Sequence, residues 1–377
     1  MTTAPLRPTA AEFVELARDY TVVPVWREVL ADLETPLSVF MKLVGNGDGF
    51  LLESVEHAER WGRFSFLGRD PVFTIVARGG QLEWIGGERP PGIPTDQGTL
   101  AAVEALLAHY RAPVTNELPP FHGGLVGWIG YDTVREITSS RKVDGTVITV
   151  PAAFALDAAL EAVDAGIKLI VIITEGIARK DASAMIEYAS LHGTRIIGPN
   201  CLGILSPGEA KIGGLGGRAV DARKAFTKGR VGVMSRSGGM TTEICNTLSA
   251  AGLGQSTACS IGGDAIIGSS YAELMPLYEA DPETEAIAIY SEPGGRMEAD
   301  LARWVTDNNS RLPVVAFMAG RFMDAMPGMR FGHAGTIVEG KADTTAEKIE
   351  RLQAAGISVA ERIEDLPGLV QQRLGLS

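Results

Sequence analysis

The sequence predicts an α/β protein in two parts, an N-terminal α+β module followed by a longer stretch built on parallel sheets. Three observations predict it. From about residue 146 on, short apolar runs rich in Val and Ile alternate with segments of helical period, the pattern of strand–helix crossovers in a parallel sheet. Before about residue 131 the apolar runs are joined by Gly- and Pro-rich turns, with a hairpin through Gly79-Gly80. Gly-containing loops begin at Gly198, Ser235, Ile261 and Ser291, each directly behind an apolar run, where open α/β sheets hold ligands.

The 377 residues suffice for two or three domains of roughly 100–200 residues each. With 45% hydrophobic and 21% charged residues the chain is globular, not disordered. Its formal charge is −12 and no basic run stands out, so no nucleic-acid partner is expected. No stretch approaches the roughly 20 apolar residues of a membrane helix, so no membrane partner is expected. Met1 to Tyr20 has no apolar export core, and a cytoplasmic location is expected. Cys201, Cys245 and Cys259 are odd in number and lack CxxC spacing, which fits reduced thiols and gives no metal site.

In the N-terminal part, Phe13 to Asp19 reads as a helix, Val22 to Val25 as a strand and Pro36 to Leu43 as a helix with proline in its first turn. Strands follow at Gly49 to Ser54, Trp61 to Gly68, Val72 to Ala77 and Leu82 to Ile85. Leu100 to Tyr110 is an amphipathic helix, and Gly123 to Tyr131 reads as a glycine-rich strand.

In the second part, Thr146 to Val150, Ile167 to Ile173 and Arg195 to Ile197 read as strands, with helices at Ala155 to Ala165 and Ala182 to His192 between them. Val231 to Met234 runs as a strand into Ser235-Arg236-Ser237-Gly238-Gly239, and Met240 to Ala250 follows as a helix. Such a turn collects free backbone N–H groups at the positive end of a helix, a ready phosphate site, and Ser237, Gly238 and Gly239 are the candidates. Ala286 to Tyr290 is a strand that delivers Glu292, and Pro313 to Met318 is another. Glu347 to Ala355 is a helix, Ile357 to Ala360 a short strand and Ile363 to Leu374 a closing helix. His333 stands between small neighbours in Gly332-His333-Ala334-Gly335. A neutral imidazole is a competent nucleophile near pH 7 and can carry a phosphoryl group. His57, His109, His122 and His192 share no constellation and read as structural or surface residues.

The ordered set Gly198-Pro199-Asn200-Cys201, Ser235-Arg236-Ser237-Gly238-Gly239-Met240, Ile261-Gly262-Gly263-Asp264, Ser291-Glu292-Pro293-Gly294-Gly295 and Gly332-His333-Ala334-Gly335 resembles the α subunit of succinyl-CoA synthetase and related acid–CoA ligases. The resemblance runs from about Asp132 to the C-terminus. It implies a truncated Rossmann-like CoA-binding domain over 138–200 and a flavodoxin-like ligase domain over 201–377. The opening CoA-binding βαβ unit of that family has no counterpart before Asp132. The resemblance assigns phosphohistidine chemistry to His333, an orienting role to Glu292, and phosphate binding to Ser237, Gly238 and Gly239. It assigns CoA contacts to Pro151, Ala152, Thr174, Glu175, Asn200 and Cys201. It further implies CoA as cofactor, a β subunit whose ATP-grasp domain takes ATP or GTP with Mg, and a small carboxylic acid, succinate or a malate- or citrate-like acid. Leu202 stands where the family usually has proline, Gly239 where threonine is commoner, and Pro293 where isoleucine is usual. The Gly-Gly-Met variant resembles the citrate-using ligases and lyases, which leaves the acid open.

Leu51-Leu52-Glu53-Ser54, Gly62 to Gly68 and Gly123 to Gly127 resemble the N-terminal part of anthranilate synthase component I over residues 1–137. That resemblance implies a tryptophan contact at Glu53 and Ser54; nothing like the family's chorismate-binding half follows. The two resemblances meet near residues 131–137, as in a chimera or fusion. Without the opening βαβ unit the second-part sheet is expected to show an unpaired edge and to bind CoA weakly or not at all, unless the N-terminal module covers that edge. A non-catalytic tryptophan- or CoA-sensing protein and an inactive recombination product are the open alternatives.

Overall fold

A computed structural model of the chain describes residues 4–53, 64–78, 81–130, 133–326, 333, 336 and 344–376. The chain divides into two compact units, Met1–Glu136 and Ile137–Ser377.

The first unit contains α1 (Ala10–Leu16), α2 (Pro36–Leu43), β1 (Gly49–Leu52), β2 (Phe66–Arg69), β3 (Thr74–Arg78), β4 (Gln81–Ile85) and α3 (Thr99–His109). Helices α1 and α2 begin in capping boxes at Thr9 and Thr35, which satisfy the amides a helix start leaves open. Strands pair antiparallel as β1–β2 and β3–β4. A small core of Ile93, Ala102 and Leu106 is flanked by Phe73, whose ring stacks on Trp84 at 4.2 Å. Helix α3 starts at Gly98, which has no capping side chain; the Glu136 carboxylate accepts from Thr99 N at 2.8 Å and from Thr99 Oγ1 at 3.0 Å instead. Glu136 belongs to α4 (Thr133–Ser140), which carries the chain across the division.

Two expected strands are not formed. Val22 to Val25 is irregular, and its backbone is engaged otherwise: Thr21 N and Val22 N both donate to Arg111 O. Gly123 to Gly130 is also irregular and largely exposed, because a glycine-rich stretch has few side chains to pack and here pairs with no described strand. The expected strand over Trp61 to Gly68 survives as β2; residues 61–63, the turn Gly79-Gly80 and Tyr131 lie outside the described residues.

The second unit opens with β5 (Gly145–Ile148), α5 (Ala155–Asp164), β6 (Leu169–Ile172), α6 (Arg179–Leu191) and β7 (Arg195–Ile197), a three-stranded parallel sheet in the order β5-β6-β7. There follow β8 (Gly203–Ser206), β9 (Ala210–Gly213), α7 (Ala219–Ala225), β10 (Lys228–Ser235), α8 (Gly238–Ala250), β11 (Gln255–Ser260), α9 (Tyr271–Ala280), β12 (Ala286–Ser291), α10 (Met297–Asp307), β13 (Val314–Met318), α11 (Thr345–Ala354), β14 (Ser358–Ala360) and α12 (Leu366–Leu374). The larger sheet runs β14-β13-β12-β10-β11-β8-β9, and β14, β13, β12, β10 and β11 are mutually parallel. Read in chain order, these five strands have the doubly wound arrangement of flavodoxin-like domains. Strand β12 is buried along its whole length, and apolar clusters fill both faces of the sheet. The antiparallel hairpin β8–β9 extends one edge through β11. The reversal of strand order falls between β10 and β12, whose last paired residues are Ser235 and Tyr290, so the crevice expected at a switch point lies at the carboxyl ends of these two strands.

Candidate active site

The turn expected to bind phosphate grows directly from β10. Ser237 is the N-cap of α8, and its Oγ accepts from Met240 N at 3.4 Å. Ser237 N donates to Ser235 Oγ at 3.1 Å and Thr241 Oγ1 donates to Ser237 O at 2.7 Å, so the turn is held from both sides. The amides of Gly238 and Gly239 lie in the first helical turn, where backbone donors have no intrahelical acceptor and the helix end is positive. A Cβ on Gly238 would come within 2.3 Å of Leu202 Cγ, whereas one on Gly239 would meet nothing within 4 Å.

The histidine and glutamate meet across the crevice. Glu292 follows β12 and is almost wholly buried, and its carboxylate takes His333 Nδ1 at 2.8 Å and 3.1 Å. Glu292 thereby selects the tautomer with the proton on Nδ1 and leaves Nε2 with its lone pair. The hydrogen bond to Glu292 is the main cause of a His333 pKa above the ordinary histidine value; burial pulls the other way, Glu292's charge adds to the rise, Arg236 opposes it and Asp264 supports it. The imidazole packs against Gly263, where a Cβ would sit 2.5 Å from ring atoms Cγ and Cδ2. Gly262, at φ +112°, lets the chain pass so close to Pro199 that a Cβ would meet its carbonyl oxygen at 2.2 Å.

The loops that end β5, β6 and β7 are stitched into this centre. Thr174 Oγ1 donates to Val150 O at 2.6 Å, Asn200 N to Thr174 O at 3.0 Å, and Gly263 N to Asn200 O at 3.0 Å. Asn200 Nδ2 donates to Asp264 Oδ1 at 3.0 Å. A cavity of about 420 Å³ opens there, lined by Ile173, Thr174, Glu175, Asn200, Cys201, Leu202, Ser237, Gly238, Gly239 and His333. Eight of the residues singled out in the sequence are thus brought to one hollow, with Glu292 behind His333. Pro151 and Ala152 stand at the end of the β5 loop and do not line it. Burial pushes the Cys201 thiol up to about 12, and its Sγ donates to Ile172 O, so it is a packed thiol and not a nucleophile. Glu53 is exposed just past β1, and Ser54 lies outside the described residues. Among the described residues no cluster of His, Cys, Asp and Glu could hold a metal ion.

Sequence reasoning assigned no role to Arg236, which is 1% exposed beside the pair, its Nη1 3.5 Å from Pro293 O. The available signal was its place, a single cation between two serines at the end of an apolar strand.

A doubly wound sheet with a helix start and a half-buried histidine–carboxylate pair at its switch point has the layout of an α/β protein that takes a ligand at the carboxyl ends of its strands. Residues 234–358 match the CoA-ligase family and residues 124–176 the CoA binding domain. The succinate–CoA ligase [ADP-forming] subunit α 1 of Archaeoglobus fulgidus is 40% identical over 277 residues, covering 73% of this chain and 91% of the relative. The malate–CoA ligase subunit α of Methylorubrum extorquens is 38% identical, over 71% of this chain and 89% of its own length. Among solved structures, ATP citrate lyase from Methanothrix soehngenii in complex with citrate and coenzyme A superposes with a TM-score of 0.61 at 26% identity. It matches 64% of this chain, which spans only 41% of that lyase. The chain belongs to the succinate–CoA ligase α-subunit family of acid–CoA ligases.

Proposed function

We propose that this chain is the α-type half of an acid–CoA ligase in which His333 carries the phosphoryl group between nucleotide and acid. The observation that carries the reading is the pairing of His333 Nδ1 with Glu292 at 2.8 Å beside a hollow that the start of α8 also lines. With Nδ1 bonded to the carboxylate, the lone pair on Nε2 attacks the terminal phosphorus of a nucleoside triphosphate, and the nucleoside diphosphate leaves. The imidazolium formed is stabilised by Glu292, and the phosphoryl oxygens are met by the Gly238 and Gly239 amides and Ser237. A carboxylate then attacks phosphorus, freeing the imidazole and forming an acyl phosphate; the CoA thiolate displaces phosphate to give the acyl-CoA.

Thr174, Glu175, Asn200 and Cys201 line the hollow and are the residues CoA is to meet there, with Pro151 and Ala152 as further CoA contacts outside its lining. The nucleotide, ATP or GTP with Mg, is to be held by an ATP-grasp β subunit in an αβ or (αβ)₂ assembly. Succinate is the first acid to test, with malate and citrate next, since relatives named for succinate and malate are of similar identity. A cytoplasmic place in the tricarboxylic acid cycle goes with succinate. We assign domains to 1–137, 138–200 and 201–377, the first as an anthranilate synthase component I-like module fused near residues 131–137. The division after Glu136 supports that joint, whereas the CoA-binding match begins upstream of it, at residue 124, and runs through it. Sequencing source DNA across the joint tests it: two separate genes would exclude a natural fusion.

The test of function is phosphate on His333. With a β partner and γ-labelled ATP or GTP, the chain takes up acid-labile label and the His333→Asn variant takes up none. No label in a folded, partner-bound sample overturns the reading.

A further inference from the structure

The loop that carries Glu292 has a second partner, engaged through its backbone carbonyls. The loop runs from the end of β12 to the start of α10 and contains Gly294 and Gly295, both at positive φ. Its backbone carbonyls point at one ammonium group. Lys348 Nζ, on α11, donates to Glu292 O at 3.0 Å, to Gly294 O at 2.6 Å and to Glu298 Oε2 at 2.6 Å. All three of its donors are thereby used. Lys348 is 3% exposed and Glu298 is fully buried. The other oxygen of Glu298 accepts from Ser291 Oγ, on the residue that precedes Glu292. The first turn of α11 is fixed in turn by Asp324, which accepts from Thr345 N at 2.8 Å and Thr345 Oγ1 at 2.6 Å.

A buried ion pair is a poor source of stability, because removing both charges from water offsets most of their attraction. This pair is arranged for position: the lysine spends two of its three hydrogen bonds on the loop that carries Glu292. We propose that Lys348, held by Glu298, is a positioning residue that fixes the Glu292 loop and through it the orientation and tautomer of His333. The proposal rests on reading His333 and Glu292 as the reacting pair.

The test exploits a sign. Removing a cation near a histidine by itself favours the charged imidazole and raises its pKa. Loss of position does the opposite, because Glu292 drifts from Nδ1 and its stabilisation of the imidazolium goes with it. The charged groups that act on His333 are Glu292, Arg236 after β10 and Asp264 after β11, and none is altered in the variants. The full chain with ring-¹⁵N histidine is titrated by NMR, with His333 assigned by the loss of its signal in His333→Gln. In Lys348→Met the His333 pKa is expected to fall towards the ordinary value and the Nδ1–H tautomer to lose its dominance. Lys348→Met/Glu298→Met removes both buried charges and leaves neither uncompensated, so it serves as the second variant should the single one fail to fold; it is expected to show the same fall. A folded variant in which pKa and tautomer are unchanged, or the pKa rises, overturns the proposal. No phosphorylation is needed, so failure of the labelling experiment with the tautomer shift intact would sink the proposed reaction and leave this linkage standing.

Discussion

At the scale of single residues, the proposed role of His333 depends on what Glu292 does to its proton. The raised pKa means that the imidazole is protonated over a wider pH range than a free histidine, and only the deprotonated ring can attack phosphorus. Phosphorylation is therefore expected to accelerate as pH rises through the folded-state value. For stability the sign runs the other way: a raised folded pKa contributes stability that is full below the unfolded value of about 6.5 and is lost as pH rises through the folded value. Glu292→Gln removes the charge and keeps the shape. Its His333 titrates lower, its rate profile shifts to lower pH, and the phosphorylation rate at the plateau falls roughly tenfold to a hundredfold, as when an orienting partner is lost. Its stability deficit against the parent is expected to be largest in acid and to shrink above the parent's His333 pKa. Denaturant melts at a series of pH values check this; a deficit that grows with pH would contradict the assignment.

At the scale of elements, the two glycines that open α8 separate packing from conformation. Leu202 lies against Gly238, so Gly238→Ala must push Leu202 aside and is expected to cost about 1–3 kcal/mol, as overpacking does. Gly239 faces open space and does not use positive φ, so Gly239→Ala should stabilise by about 0.4–1 kcal/mol through the unfolded chain. Urea melts of the two variants distinguish them, and equal effects would refute the packing argument. This region also shows how far a sequence can be read. The loops after β7, β10 and β12 were legible because glycine beside a buried strand run is a local signal. Helix α9 was not, because Pro276 inside it reads as a break, and hairpin β8–β9 was not, because its strands are short and flanked by glycine. The Lys348–Glu298 pair was invisible for a different reason. The two residues lie fifty positions apart on separate helices, and charged residues on a helix ordinarily face water. The Gly123–Gly130 stretch shows the reverse error, apolar enough for a strand yet unable to form one without a partner.

At the scale of the whole molecule, the two units differ in how much apolar surface they bury. In the second unit large clusters fill both faces of a seven-stranded sheet, and Met234, Ile287, Ile289 and Ala316 are wholly enclosed. Among the described residues of the first unit the buried apolar core is Ile93, Ala102 and Leu106, while Leu30, Leu33, Val114 and Trp128 are each more than 80% exposed. Hydrophobic stabilisation scales with apolar area removed from water, at roughly 25 cal/mol per Å². The first unit is therefore expected to be the weaker, and unfolding of the chain should not be two-state. The tryptophans make this measurable. Trp26, Trp61, Trp84 and Trp128 fall in the first unit, and Trp304, on α10, is the one in the second. Tryptophan fluorescence should change at a lower denaturant concentration than far-UV circular dichroism, which is dominated by the helices of the second unit. In Trp304→Phe the early fluorescence transition remains and the late one disappears. Coincident transitions by both probes would mean that the units unfold together, and that the small core of the first is supported by something other than its own burial. With separate transitions, phosphorylation of His333 should persist at denaturant concentrations where the first unit has already unfolded. The hollow's lining, from Ile173 to His333, comes wholly from the second unit.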